Sequence, residues 1–261
     1  MNGPLLTGRA LITGGTSGIG LAFAQALGAR GCDLVLVARD KDRLESTAED
    51  LRRRHGVDVE VLPADLADRA QVDTVADRLA DDDSPIEVFV NNAGKGVHAR
   101  LVTDDTSEHE QAIDLMITAV LVLGAAAART MRERGHGVIV NVSSVAGLIT
   151  MGGYSAIKSF VRTYSESLSL ELAGAGVQVT ALLPGWVRTE FHQRAGIRTG
   201  SIPSSLWLDP DQVVAGCLAD VEKKRVRSVP SARFKVLAWL AEHAPRAAVR
   251  KVTARLVSGR R

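Results

Sequence analysis

The feature that most constrains this chain is a recurrence of short, almost wholly apolar runs separated by longer helical patterns. Leu34-Val35-Leu36-Val37 and Val138-Ile139-Val140 have no polar side of their own, so strands built from them must be covered on both faces, as in a parallel sheet. Candidate strands lie at 9–13, 33–38, 57–62, 86–90, 137–142, 177–183 and 225–229, with helical stretches such as 42–54, 68–79 and 108–132 between them. This alternation predicts an α/β fold, a doubly wound parallel sheet with right-handed crossovers and helices on both faces. The 261 residues suit one such domain, and neither an internal repeat nor a linker divides them. Residues 188–208, rich in Gly, Pro and Ser/Thr, are expected to form a mobile loop.

Aromatic residues are only 4% of the chain against 46% hydrophobic overall, so aliphatic side chains must fill the core. The start carries no basic region followed by an apolar block, and the apolar run 115–128 is too short to span a bilayer. A cytoplasmic protein is expected, with Cys32 and Cys217 as free thiols. The net charge of +2 hides an asymmetry: residues 223–261 hold 12 Lys/Arg and one acid, Glu242, which leaves the body at about −9 and the tail at about +11.

Thr13-Gly14-Gly15-Thr16-Ser17-Gly18-Ile19-Gly20 follows the first strand and opens a helix. Glycine permits a tight turn and close backbone approach, and the free N–H groups at a helix start favour a pyrophosphate. The plain alternative is a strand–helix turn with nothing bound. Its position at the first turn of a βαβ pattern favours a dinucleotide and a Rossmann-type sheet. At the end of the second strand, where NAD binders place an acid for the ribose, the chain has Ala38 and then Arg39. A guanidinium suits a 2′-phosphate. NADP(H) is therefore the expected cofactor and NAD(H) the alternative; Asp40 beside the arginine is a complication.

Tyr154 and Lys158 are four residues apart at the start of a helical stretch and so share a face. A nearby ammonium is expected to lower the tyrosine pKa and fit the phenol for proton exchange. On its own such a pair is usually surface decoration. Here the strand 137–142 ends in Ser143-Ser144, at the carboxyl edge where ligands of such sheets bind.

Taken together, Thr13-Gly14-x-x-x-Gly18-Ile19-Gly20, Asp65 in Ala64-Asp65-Leu66, Asn91-Asn92-Ala93-Gly94, Ser144, Tyr154-x-x-x-Lys158 and Pro184-Gly185-x-x-x-Thr189 occur in the order seen in the compact, single-domain short-chain dehydrogenases. The chain resembles that family up to about Val229. The resemblance implies an oxidoreductase that interconverts a carbonyl and an alcohol by hydride transfer. Ser144 would then hold the carbonyl oxygen, Tyr154 supply the proton, and Lys158 hold the nicotinamide ribose and lower the tyrosine pKa. The cofactor would lie on Gly14, Thr16, Ser17, Gly18, Ile19, Gly20, Arg39, Asp65, Leu66, Asn92, Ala93, Gly94, Tyr154, Lys158, Pro184, Gly185, Val187 and Thr189. Within this set Asp65 would contact the adenine and Thr189 the nicotinamide end, while Asn91 would brace the central strands. No metal is expected, and a homodimer or homotetramer pairing through 108–132 and 154–172 is.

Two positions depart from the family pattern. The asparagine common in the long helix before Ser144 is replaced by Met116, which cannot donate a hydrogen bond, so a proton relay there would have to run through water or Thr118. Ser144 also precedes Tyr154 by only ten positions, a few fewer than is common, which leaves Ser143 as its alternate. Leu148, Ile149, Met151, Trp186 and Phe191 in the segments around the site suggest an apolar substrate. The extension 230–261 reads as helices packing on the body or on another subunit, or else as a surface for anionic membranes that would make the protein peripheral there; no nucleic-acid motif accompanies its charge. The alternative to an enzyme is a cofactor-binding regulator or scaffold on the same fold, and a sugar-nucleotide epimerase fits less well.

Overall fold

The computed structural model describes residues 5–190 and 203–258. Seven strands form one sheet: β1 (Arg9–Thr13), β2 (Asp33–Ala38), β3 (Val59–Pro63), β4 (Val88–Asn91), β5 (Gly137–Val142), β6 (Val177–Leu182) and β9 (Arg227–Ser228). Their order is β3-β2-β1-β4-β5-β6-β9 and every pairing is parallel. The expected strands are thus present, the third and fourth two residues later in start and the last trimmed to two residues. Helices α1 (Gly18–Gly28), α2 (Lys41–His55) and α3 (Arg69–Leu79) make the first crossovers. Two buried clusters, one on each face of the sheet, confirm the double covering: Ile12, Leu34 and Leu36 point to one, and Leu11, Val35 and Val37 to the other.

The long helix expected over 108–132 is three pieces: α4 (Ser107–Ile113), a π-helical turn (Asp114–Thr118) and α5 (Ala119–Arg134). By length and composition the whole stretch Ser107–Arg134 could cross a membrane, but half of its most apolar window is buried inside the protein, as suits a helix covering a sheet. Helix α6 (Gly152–Glu171) follows β5 through a 3₁₀ turn, Val145–Leu148. A small parallel pair, β7 (Trp186–Val187) and β8 (Trp207–Leu208), closes the segment after β6; most of the loop expected at 188–208 lies outside the described residues. Helix α7 (Pro210–Glu222) leads to β9, held by buried Asp220, which accepts from Arg225 (2.7 Å) and the Ser228 hydroxyl (2.8 Å). The chain ends in α8 (Ala232–His243) and α9 (Arg246–Ser258). Both cysteines are free and buried.

Candidate active site

The strand order reverses between β1 and β4, and the crevice at their carboxyl ends is where a ligand of such a sheet is expected. The glycine turn sits there. Gly14 has φ +67, and a Cβ on it would lie 2.9 Å from Asn92 Nδ2. A Cβ on Gly20 would lie 2.2 Å from the Gly14 carbonyl oxygen, so only glycine lets α1 start this close to the turn. Asn92 holds the opposite wall: its Nδ2 donates to the Thr13 carbonyl (2.8 Å), while the Thr13 hydroxyl accepts from the backbone N–H groups of Asn92 (2.9 Å) and Ala93 (3.0 Å). Asn91 is buried and donates to the Val120 carbonyl (3.3 Å), bracing β4 against α5. Helix α1 begins with neither a side-chain cap bond at Ser17 nor an acid in its first turn. The first N–H groups of α1 therefore offer a cradle for an anion.

At the far end of the cleft, Arg39 is largely exposed and lies 4.0 Å from Asp65, whose other oxygen accepts from the Ala67 N–H. Asp40 also lines this end of the cleft; one of its carboxylate oxygens caps α2, accepting from Arg43 N (3.0 Å). Arg43 was not singled out in the sequence. It lines the same cleft, donates from Nε to the Thr16 carbonyl (3.1 Å) and grips Glu190 through both terminal nitrogens (3.1 and 2.8 Å). Its spacing from Arg39, four residues on across a helix start, was the signal available. The residues present therefore fit a phosphorylated dinucleotide, with the glycine turn in the middle and exposed Arg39 at one end, Arg43 beside it being engaged by Glu190 and Thr16.

Ser144, Tyr154 and Lys158 come together at the other end of the cleft. The Tyr154 phenol is hydrogen-bonded to the Ser144 hydroxyl. Ser144 Oγ also accepts from Ala146 N (3.1 Å), which sets the 3₁₀ turn that takes up the short spacing to Tyr154. Ser143 is committed elsewhere, donating to the Lys158 carbonyl (2.6 Å). Lys158 is buried; its Nζ donates to the Val142 carbonyl (2.9 Å) and lies 5.7 Å from the centroid of the Tyr154 ring. One expectation needs correcting: Lys158 does not lower the tyrosine pKa here. Burial pushes the phenol above its usual range and only the Ser144 hydrogen bond pulls the other way, while burial brings Lys158 itself down to about 8. The ammonium lies 5.7 Å from the ring centroid and carries its own desolvation cost.

Met116 is fully buried in the middle of the π turn; a Cβ on Gly94 would lie 3.2 Å from its sulfur and 3.7 Å from Lys158 Nζ. A thioether therefore lies on the same side of Gly94 as the lysine ammonium. Thr189 stands over Gly18 (3.0 Å to a Cβ there) and Val187 is buried behind it, while the Pro184 carbonyl accepts from Val145 N (3.1 Å). Leu66, Ile19, Ala93 and Gly185 also line the cleft; Phe191 lies outside the described residues.

The cleft has a volume of about 1970 Å³, well above the ~300–1,000 Å³ of a pocket for one small ligand. Leu148, Ile149 and Met151 line the cleft, and α8 supplies a wall the sequence did not indicate, with Leu237, Leu240 and Ala241. Phe234 of α8 packs so closely on Gly185 that a Cβ there would lie 2.2 Å from its ring. Among the described residues no cluster of His, Cys, Asp and Glu could hold a metal ion.

Fold and site together define a nucleotide-binding oxidoreductase of the doubly wound kind. A family model described as short chain dehydrogenase matches residues 9–198, and the chain belongs to that family. It is 33% identical over 183 residues to an uncharacterized oxidoreductase of Staphylococcus aureus (strain MRSA252), covering 69% of this chain and 78% of that one. Among solved structures it is similar to a short-chain dehydrogenase from Sphingobium yanoikuyae in complex with NADPH (TM-score 0.82, 39% identity, 88% of this chain and 91% of that). It is also similar to a bulky-bulky ketone specific alcohol dehydrogenase from Comamonas testosteroni (TM-score 0.77, 34% identity, 92% of each chain).

Proposed function

We propose that this oxidoreductase is NADP(H)-dependent and interconverts a bulky, apolar carbonyl compound and its alcohol through Ser144, Tyr154 and Lys158. The observation that carries the reading is the Tyr154 phenol hydrogen-bonded to Ser144, with buried Lys158 against its ring, in a cleft continuous with the glycine turn. When bound, NADP(H) supplies or takes the hydride. Tyr154 gives its proton to the carbonyl oxygen, and a phenol kept neutral by burial holds that proton until it is needed. Ser144 offers a preorganised hydroxyl to the same oxygen. Lys158, at about pH 8 for half-protonation, can resupply the proton as an ammonium below that pH. Met116 cannot donate a hydrogen bond, so a proton path beyond Lys158 would run through water or Thr118. Arg39 and Arg43 hold the 2′-phosphate.

The relative complexed with NADPH and the relative specific for bulky ketones support the cofactor and the substrate class, as does the aliphatic wall of the cleft. On this reading residues 1–229 carry cofactor and substrate chemistry, with 230–261 completing the substrate wall. The protein is placed in the cytoplasm as a homodimer or homotetramer, pairing through the outer faces of α5 and α6, where Leu121 and Leu170 are exposed. Its basic tail meets an anionic membrane surface. Screening NADPH oxidation against aryl-alkyl and long-chain ketones, with Tyr154→Phe as control, tests the proposal. NADPH consumption that survives the substitution, or none with any ketone although NADPH binds, overturns it in favour of a cofactor-binding regulator.

A further inference from the structure

Helix α8 has two apolar faces, and an ordinary core-packing helix needs one. Phe234 and Ala238 are buried at 4% and 5% exposure against the body. On the opposite side Val236, Trp239 and Leu240 follow the i, i+3, i+4 spacing of a single stripe. With Leu237 they are 46–59% exposed, and they account for four of the ten large hydrophobic side chains exposed among the described residues. Trp239 stacks on His243 at 4.8 Å between centroids, which holds the indole on that face. Leu237 and Leu240 also line the cleft, so the exposed stripe is continuous with the mouth of the substrate site.

The surroundings of this stripe are basic. Residues 223–261 carry 12 Lys/Arg and one acid, and that acid, Glu242, is already paired with Arg227 at 2.7 Å. Exposed Arg233, Lys235, Arg250 and Lys251 lie on α8 and α9. An exposed aliphatic and Trp stripe flanked by cations suits a helix lying in the headgroup region of an anionic bilayer. A second copy of the chain is a poorer occupant: a two-fold contact would bring this positive surface against itself. Phosphate backbones would satisfy the cations but leave Val236, Trp239 and Leu240 in water.

We propose that the outer face of α8 docks on anionic phospholipid bilayers, seating the cleft mouth at the lipid surface so that the substrate is a carbonyl compound drawn from the bilayer. The docking stands by itself; the substrate half rests on the carbonyl-reductase reading above. The test is co-sedimentation of the full chain with phosphatidylcholine vesicles, with and without phosphatidylserine at roughly one lipid in four. Binding at least ~tenfold tighter with phosphatidylserine is expected, weakening as salt is raised. The pair Val236→Glu and Trp239→Glu, neither residue lining the cleft, should lose it at least ~tenfold while NADPH affinity and the melting temperature hold. Lys235→Glu with Lys251→Glu should do the same if the helix tolerates the first pair badly. Equal binding to both vesicles, unimpaired binding by both variants, or a concentration-dependent dimer abolished by Val236→Glu and Trp239→Glu would overturn the docking. For the substrate half, the rate with a long-chain ketone in vesicles should follow its mole fraction in lipid. A rate that follows bulk concentration overturns that half alone, and absence of any turnover overturns the reductase reading while leaving the vesicle result intact.

Discussion

Burial of Lys158 makes the stability of the cofactor-free protein depend on pH in a way that a surface lysine would not. Its ammonium is half lost near pH 8 in the folded protein and near 10.5 in the unfolded chain. Below pH 8 both states hold the proton, and the folded state bears the cost of a buried charge. As pH rises through that value the folded protein sheds the proton while the unfolded chain keeps it, so the contribution of Lys158 to stability rises with pH up to about 10.5. The shift corresponds to about 3 kcal/mol in all, roughly half of it falling between pH 8 and 9.5. Cys32, Cys217 and Tyr154 act with the opposite sign: burial raises their pKa values, so the unfolded chain ionises first, the thiols from about pH 9 and the phenol above pH 10, and each takes stability away as pH rises. Urea unfolding at pH 7.5, 8.5 and 9.5, without cofactor, measures the first limb. Lys158→Met should flatten it relative to the parent. The thiols are common to both proteins, so a parent profile that does not rise relative to that of Lys158→Met would refute the burial argument.

Other substitutions test the site piece by piece. Gly20→Ala should abolish cofactor binding while leaving a folded protein, because its Cβ would need about 0.8 Å more room from the Gly14 backbone than the turn gives; isothermal titration with unchanged circular dichroism checks it. Met116→Asn removes a fully buried thioether and should cost about 1–3 kcal/mol of stability, yet keep or raise turnover by offering Lys158 a hydrogen-bonding neighbour; a large loss of activity in protein that remains folded contradicts that role. Gly147→Ala puts a Cβ 2.7 Å from the Lys158 backbone, so by displacing α6 it should lower kcat and weaken NADPH binding together, read in protein with unchanged circular dichroism.

The sheet was legible because its strands are apolar on both faces, and each strand read from the sequence has a counterpart. The glycine turn and the Tyr154–Lys158 spacing were legible because each needs particular residue types at fixed separations. Three things were not. The π turn around Met116 has no local signature, since the stretch 108–132 reads as continuous helix and the extra residue is decided by packing over the sheet. The pKa order of Tyr154 and Lys158 follows from desolvation, and spacing along a helix says nothing about depth. The role of α8 was hidden because a face lining a cleft and a face left to solvent are both apolar here, so periodicity could not say which was covered. Asp40 shows the converse: beside Arg39 in sequence it looked only like a competitor, and in the fold one of its oxygens is committed to capping α2.

The central claim is a phosphorylated dinucleotide held between the glycine turn and the arginine pair, and the measurement that tests it most directly is the Kd of the purified protein for NADPH and NADH side by side. The account expects NADPH to bind at least ~tenfold more tightly, about 1.4 kcal/mol, with the difference erased in Arg39→Ala combined with Arg43→Ala. Equal affinities, or a preference for NADH, would contradict the role given to the two arginines.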